Sequence, residues 1–64
     1  MNTKIQELRK EANISQQALA DILAVSRQTI ISLENGKYIA SLPLAFKISK
    51  YFNKPIEEIF IYEE

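Results

Sequence analysis

Apolar residues recur along this chain at helical spacing, in five short runs separated by polar punctuation. Ile5, Leu8 and Ala12 fall at i, i+3 and i+7. That predicts a first helix over about residues 3–12, with Asn2 or Thr3 as its N-cap. Asn13 follows as a stop, because asparagine tolerates positive φ. Ser15 caps a second helix, Gln16 to Leu23, with Leu19, Ile22 and Leu23 turned inward. Ser26 caps a third, Arg27 to about Glu34, and Asn35–Gly36 ends it. Ser41 caps a fourth helix with Pro43 in its first turn, where the missing N–H is harmless. Ala45, Ile48 and Phe52 give that helix an inner stripe, widened by Leu44 and Tyr51. Asn53 and Pro55 then break the chain before a short fifth helix in which Ile56, Ile59 and Phe60 face the core. The expected fold is all-α: a compact five-helix bundle forming one domain over residues 1–64. The β-branched and aromatic residues at the C-terminus also suit a short β segment.

Residues 16–35 carry the pattern richest in chemistry. Leu19, Ala20, Leu23, Val25, Ile30 and Leu33 fall where two short helices joined by a tight turn need apolar or small residues. Ala20 lacks bulk, so the two helices can approach closely. Burying each of the larger side chains is worth roughly 1.5–3 kcal/mol before entropy is subtracted. The third helix therefore hides one side and exposes the other.

Its exposed side carries Arg27 and Gln28 in the first turn and Ser32 about a turn later. Arginine forks onto O6 and N7 of guanine, and glutamine pairs with N6 and N7 of adenine. A serine is short enough for close approach and can donate or accept. Together they suit the major groove of double-stranded DNA. Ile31 flanks this face, as a contact to a thymine methyl or as a packing residue. Gln16 begins the second helix, where free N–H groups and the positive helix end suit a phosphate. The amides and ammonium of Asn35, Gly36 and Lys37 offer a second phosphate site, and Thr29 adds a hydroxyl. Such contacts fix register rather than sequence. Arg9 and Glu34, near the junction of helices 1 and 3, read instead as a structural arginine–carboxylate fork.

Composition narrows the classes. The 64 residues include no cysteine and no histidine, which excludes disulfides and the usual zinc sites. There is no glycine-rich phosphate loop and no pair of carboxylates converging on a pocket, so neither an enzyme nor a cofactor is expected. No apolar run approaches ~18 residues and no signal peptide is visible, which makes the expected location the cytoplasm, with no membrane partner. No small-molecule pocket is evident. The net charge of zero speaks against nucleic acid at first sight. Its distribution answers the objection: Glu57, Glu58, Glu63 and Glu64 hold half the acids, and residues 1–56 carry eight Lys/Arg against Glu7, Glu11, Asp21 and Glu34.

Ile61 and Tyr62 extend the apolar run beyond what one small core absorbs. Either the tail folds back on helix 1, or residues 55–64 form a two-fold homodimer interface through Ile56, Ile59, Phe60, Ile61 and Tyr62. The dimer is the reading adopted, and a β-ribbon between two tails is a further form of it.

ISQQALA, VSRQTI, LENGKY, SLPLAFKISKYF and PIEEIF stand in that order. In this the chain resembles the Xre/Cro-type helix-turn-helix regulators of bacteria and phages, from Ile5 through Phe60. The resemblance implies a homodimeric repressor or activator on an inverted-repeat operator, with repression preferred. It also implies base contacts at Arg27, Gln28 and Ser32, phosphate contacts at Gln16, Asn35 and Lys37, and an Arg9–Glu34 pair. Two positions depart from the family pattern: Ala24 stands where the turn usually has glycine, and Ile39–Ala40 where a polar residue and proline are common. Two other roles would use the same fold. One is an antitoxin that offers Ile59 to Tyr62 to a toxin. The other is a protein-interaction module without DNA binding, which the zero net charge would suit.

Overall fold

Three serines start three of the helices. Ser15, Ser26 and Ser41 hold extended backbone, and each Oγ accepts the N–H three residues on, at 3.0, 3.2 and 3.4 Å. Four left-handed residues end four of them: Asn13, Ala24, Gly36 and Asn53, with φ of 59, 59, 72 and 56°. At each stop the next N–H reaches back five residues, from Ile14 to Arg9, Val25 to Ala20, Lys37 to Ser32 and Lys54 to Ser49. This closure satisfies carbonyls that a helix end would otherwise leave bare.

The computed structural model describes residues 2–62. Their order is β1 (Asn2–Thr3), α1 (Ile5–Glu11), α2 (Gln16–Leu23), α3 (Arg27–Glu34), α4 (Leu42–Phe52), α5 (Ile56–Ile59) and β2 (Phe60–Ile61). Ile5, Leu19, Ala20, Ile30, Leu33, Ile48 and Ile59 are fully buried, so every helix sends at least one side chain to a single core. Leu8, Leu23 and Leu44 complete it, and Ile14, Val25, Ala40, Phe52 and Phe60 pack around its margin.

Three residues expected inside lie outside. Ile22 is exposed because α2 buries Leu19, Ala20 and Leu23, and at about 100° per residue Ile22 projects away from the centre of that arc. Ala12 sits just past the last turn of α1, beyond the contact with the core. Tyr51 lies at the edge of the α4 stripe, its ring edge-on to Phe52 with centroids 5.0 Å apart.

The chain ends also differ from expectation. Asn2 and Thr3 do not open α1; they pair antiparallel with Ile61 and Phe60 respectively. The Lys4 N–H continues the ladder to the Ile59 carbonyl at 2.8 Å. The tail thus folds back within its own chain, onto the strand before α1, and the two-residue ribbon joins the two ends of one molecule. Lys4 at the start of α1 makes no side-chain cap. Thr3 substitutes for it from one position earlier: its Oγ1 accepts the Ile5 N–H and donates to the Leu33 carbonyl, both at 3.4 Å.

Ala24 is the costly stop, since a Cβ in left-handed backbone is worth about 1 kcal/mol or more. Ala24→Gly is expected to raise the melting temperature by roughly 4 °C, read by circular dichroism; an unchanged or lower value would contradict a strained turn.

Candidate nucleic-acid interface

Helix α3 divides cleanly into two faces. Ile30 and Leu33 are fully buried against the core, while Arg27 and Gln28 are exposed and Thr29, Ile31 and Ser32 are half-buried. On a helix turning about 100° per residue, Arg27, Ile31, Gln28 and Ser32 succeed one another around a single outward arc of about 140°. Ile31 therefore sits between Arg27 and Gln28 and is absent from the side chains packed on the core. Gln28 Nε2 donates to Ser32 Oγ at 3.5 Å along that arc.

The N-terminal edge of α3 meets the start of α2. Arg9 forks onto Glu34, Nε to Oε2 at 2.8 Å and Nη2 to Oε1 at 3.3 Å, and its Nη1 donates to the Ile14 carbonyl at 3.0 Å. The expected pair is therefore present, with side chains only 11% and 4% exposed. Glu34 Oε1 also accepts from Gln16 Nε2 at 3.2 Å, and Gln16 Oε1 in turn accepts from Arg27 Nη2 at 3.4 Å. Arg9, Ser15, Gln16, Gln17 and Arg27 line an open cleft of about 350 Å³ over this chain of bonds. Arg9 is matched by Glu34, so the positive charge offered to an anion there is that of Arg27, beside the N–H groups of the first turn of α2.

A helix-turn-helix family model matches residues 5–59. The chain belongs to the Xre/Cro-like helix-turn-helix family. A helix-turn-helix-type transcriptional regulator of Methanocaldococcus jannaschii is 55% identical over 64 residues, which cover all of this chain and 97% of that protein. One from Archaeoglobus fulgidus is 50% identical over 64 residues, all of this chain and 90% of its own length. Among solved structures, the restriction-modification controller protein C.AhdI from Aeromonas hydrophila superposes with a TM-score of 0.78 at 26% identity, covering 89% of this chain and 86% of that one. The protein is thus a DNA-binding transcriptional regulator, a non-enzymatic class.

Two sets of groups expected to face phosphate are engaged within the chain. The amides of Asn35, Gly36 and Lys37 are spent on closing α3, reaching back to carbonyls of Ile31, Leu33 and Ser32. What that turn offers outward is side chains, with Asn35 and Lys37 both exposed. The Thr29 hydroxyl lies 2.9 Å from Ser26 Oγ, so it already reinforces the start of α3.

The described part of the acidic tail lies apart from the arginine cleft, and Glu7 and Glu11 of α1 join it. Glu7, Glu11, Glu57 and Glu58 gather with Lys4, Lys54, Leu8 and Ile61 around a groove of about 440 Å³ that shares no residue with the arginine cleft. Glu63 and Glu64, the rest of the acidic tail, lie outside the described residues. Among the described residues no helix is long and apolar enough to cross a membrane.

Sequence reasoning missed the link through Gln16, which was assigned to phosphate alone. The signal was present: a carboxamide at the start of α2 between a paired carboxylate and an arginine can bridge both. The Arg9–Glu34 clamp joins α1 to α3 where water hardly reaches. Glu34→Ala is expected to lower stability by about 3 kcal/mol in urea unfolding, because Arg9 is left charged and largely covered. A loss under about 1 kcal/mol would mean the pair behaves as a surface bridge.

Proposed function

We propose that this regulator represses transcription by binding an inverted-repeat operator as a homodimer, with α3 of each subunit in the major groove. The observation that carries this reading is the exposure of Arg27 and Gln28 on the first turn of a helix whose other face is fully buried. In this reading Arg27, Gln28 and Ser32 meet base edges, and Ile31 between them meets a thymine methyl. Gln16, Asn35 and Lys37 contact phosphate, with Thr29 beside them. Occupying an operator blocks a promoter with no surface beyond these, which supports repression over activation.

A second copy needs an apolar surface, and the α5–β2 end supplies one in modified form. Ile59 is fully buried and serves its own chain. Ile56, Phe60 and Ile61 are half-buried, and Tyr62 is exposed. Ile56 and Phe60 join Ile39, Ala40 and Ala45 around a shallow apolar groove of about 150 Å³. Ile39 is 70% exposed at its rim, which a lone chain has no packing reason to favour. The departure from the family pattern at Ile39–Ala40 thus falls on the proposed dimer surface. Ile39→Glu is expected to leave the melting temperature within a few degrees while shifting the chain to monomer in sedimentation velocity. A variant that remains dimeric would move the interface elsewhere.

Binding to fragments selected from random DNA tests the division of roles. Arg27→Ala or Gln28→Ala is expected to cost roughly 1–3 kcal/mol on the selected site and relax preference at one base pair. Lys37→Ala is expected to weaken all sequences alike and reduce the salt slope by about one. Half-sites are expected about 34 Å apart, centre to centre. Equal effects of Arg27→Ala and Lys37→Ala on selected and random DNA would overturn the assignment.

A further inference from the structure

The bonds running from Arg9 to Arg27 have a direction, and the carboxylate sets it. The Glu34 carboxylate, paired with Arg9 and with its side chain 4% exposed, offers acceptor oxygens. Its Oε1 already takes Arg9 Nη2 at 3.3 Å, so the Gln16 group facing it at 3.2 Å has to be the amide NH2. Turning that carboxamide over would bring two acceptor oxygens together. With the NH2 held inward, Gln16 Oε1 points toward α3 and accepts only a donor, which Arg27 provides at 3.4 Å. One Nη2 hydrogen is used in this bond. The remaining guanidinium donors stay available for a fork onto a base.

We propose that Glu34 and Gln16 are positioning residues for base recognition. Glu34 fixes the orientation of the Gln16 carboxamide, and Gln16 holds the Arg27 guanidinium at the edge of α3 before DNA arrives. A carboxylate at the far end of α3 thereby helps decide which base pair Arg27 reads. This rests on the reading above that Arg27 meets a base edge. It gives the Arg9–Glu34 pair a second task besides joining α1 to α3, and Gln16 a task besides holding phosphate. Ordering an exposed arginine in advance spares part of the entropy lost when it docks, and it disfavours docking geometries that match a different base.

The test compares wild type, Gln16→Met, Glu34→Gln, Arg27→Ala and Gln28→Ala on the duplex that wild type selects from random DNA. Each is measured by fluorescence anisotropy against every single-base variant of that duplex. Gln16→Met keeps the Arg9–Glu34 pair and removes both Gln16 bonds, whereas Glu34→Gln keeps Gln16 and frees its amide to turn. Both are expected to reduce discrimination at the base pair that Arg27→Ala relaxes by about fivefold or more, while discrimination at the Gln28 base pair stays within about twofold. If Glu34→Gln does not fold, Arg9→Met/Glu34→Gln leaves no unpaired covered charge and carries the same arm.

Uniform weakening by Gln16→Met, with wild-type discrimination retained, would make it a phosphate contact only and overturn the proposal. A lower melting temperature in Glu34→Gln with an unchanged specificity profile would make Glu34 a brace only, with the same consequence. If Arg27→Ala itself leaves every base pair unaffected, the assignment of Arg27 to a base falls first. That outcome is distinct from failure of the positioning step.

Discussion

Everything outward-facing in this molecule depends on how α3 is held by its inner face. Ile30 and Leu33 have no solvent exposure, and neither do Leu19 and Ala20 on α2. The connection between the two helices is only three residues, Ala24 to Ser26, and both of its ends are fixed by hydrogen bonds. Val25 reaches back to the Ala20 carbonyl, and Ser26 caps α3. With so short a link and no volume to spare, α3 has little freedom to rotate about its axis. Which side of α3 is left outward is chosen by what is buried, not by the polar residues themselves.

Polar contacts then refine what packing has placed. The Arg9–Glu34 fork locks α1 to the C-terminal end of α3, and Thr3 adds a bond from β1 to the Leu33 carbonyl nearby. Lys4 and the β1–β2 pair tie the tail to the same region through the Ile59 and Phe60 backbone. Helix α3 is thus secured at both ends: by its cap and Gln16 at the start, and by ion pair, threonine and ribbon at the finish. The acids of α1 and α5 gather in a groove separate from the arginine cleft, which reconciles zero net charge with an anionic ligand.

Much of this was legible in the residues because the relevant physics is local. Ser15, Ser26 and Ser41 cap the helices expected of them, and Asn13, Ala24 and Asn53 adopt the left-handed backbone that stops require. The limits of α2 and α3 follow from those signals alone. What escaped was long-range or a matter of degree. The pairing of Asn2 with Ile61 spans nearly the whole chain and involves two residues per strand, too few for an alternating pattern. Ile22 looked inward because i, i+3 spacing from Leu19 permits it; only the close approach at Ala20 rotates the buried arc away from it. The turn amides after α3 looked available because their bonds back into the helix depend on the left-handed geometry of Gly36. At the candidate site the residue types were readable, while the bridge through Gln16 required three helices to be in place.

The central claim is that the duplex is met on the side carrying the Arg27–Gln28 edge of α3, with Gln16 and Lys37 flanking it, and not at the α1–α5 groove. Nuclear magnetic resonance of the nitrogen-labelled protein, titrated with its selected duplex, addresses it residue by residue. Amide shifts should concentrate at Ser15 to Gln17 and Ser26 to Ser32, extend to Lys37, and spare Glu7, Glu57 and Glu58. Shifts confined to the α1–α5 groove, with Arg27 and Gln28 unmoved, would show that a different face binds DNA.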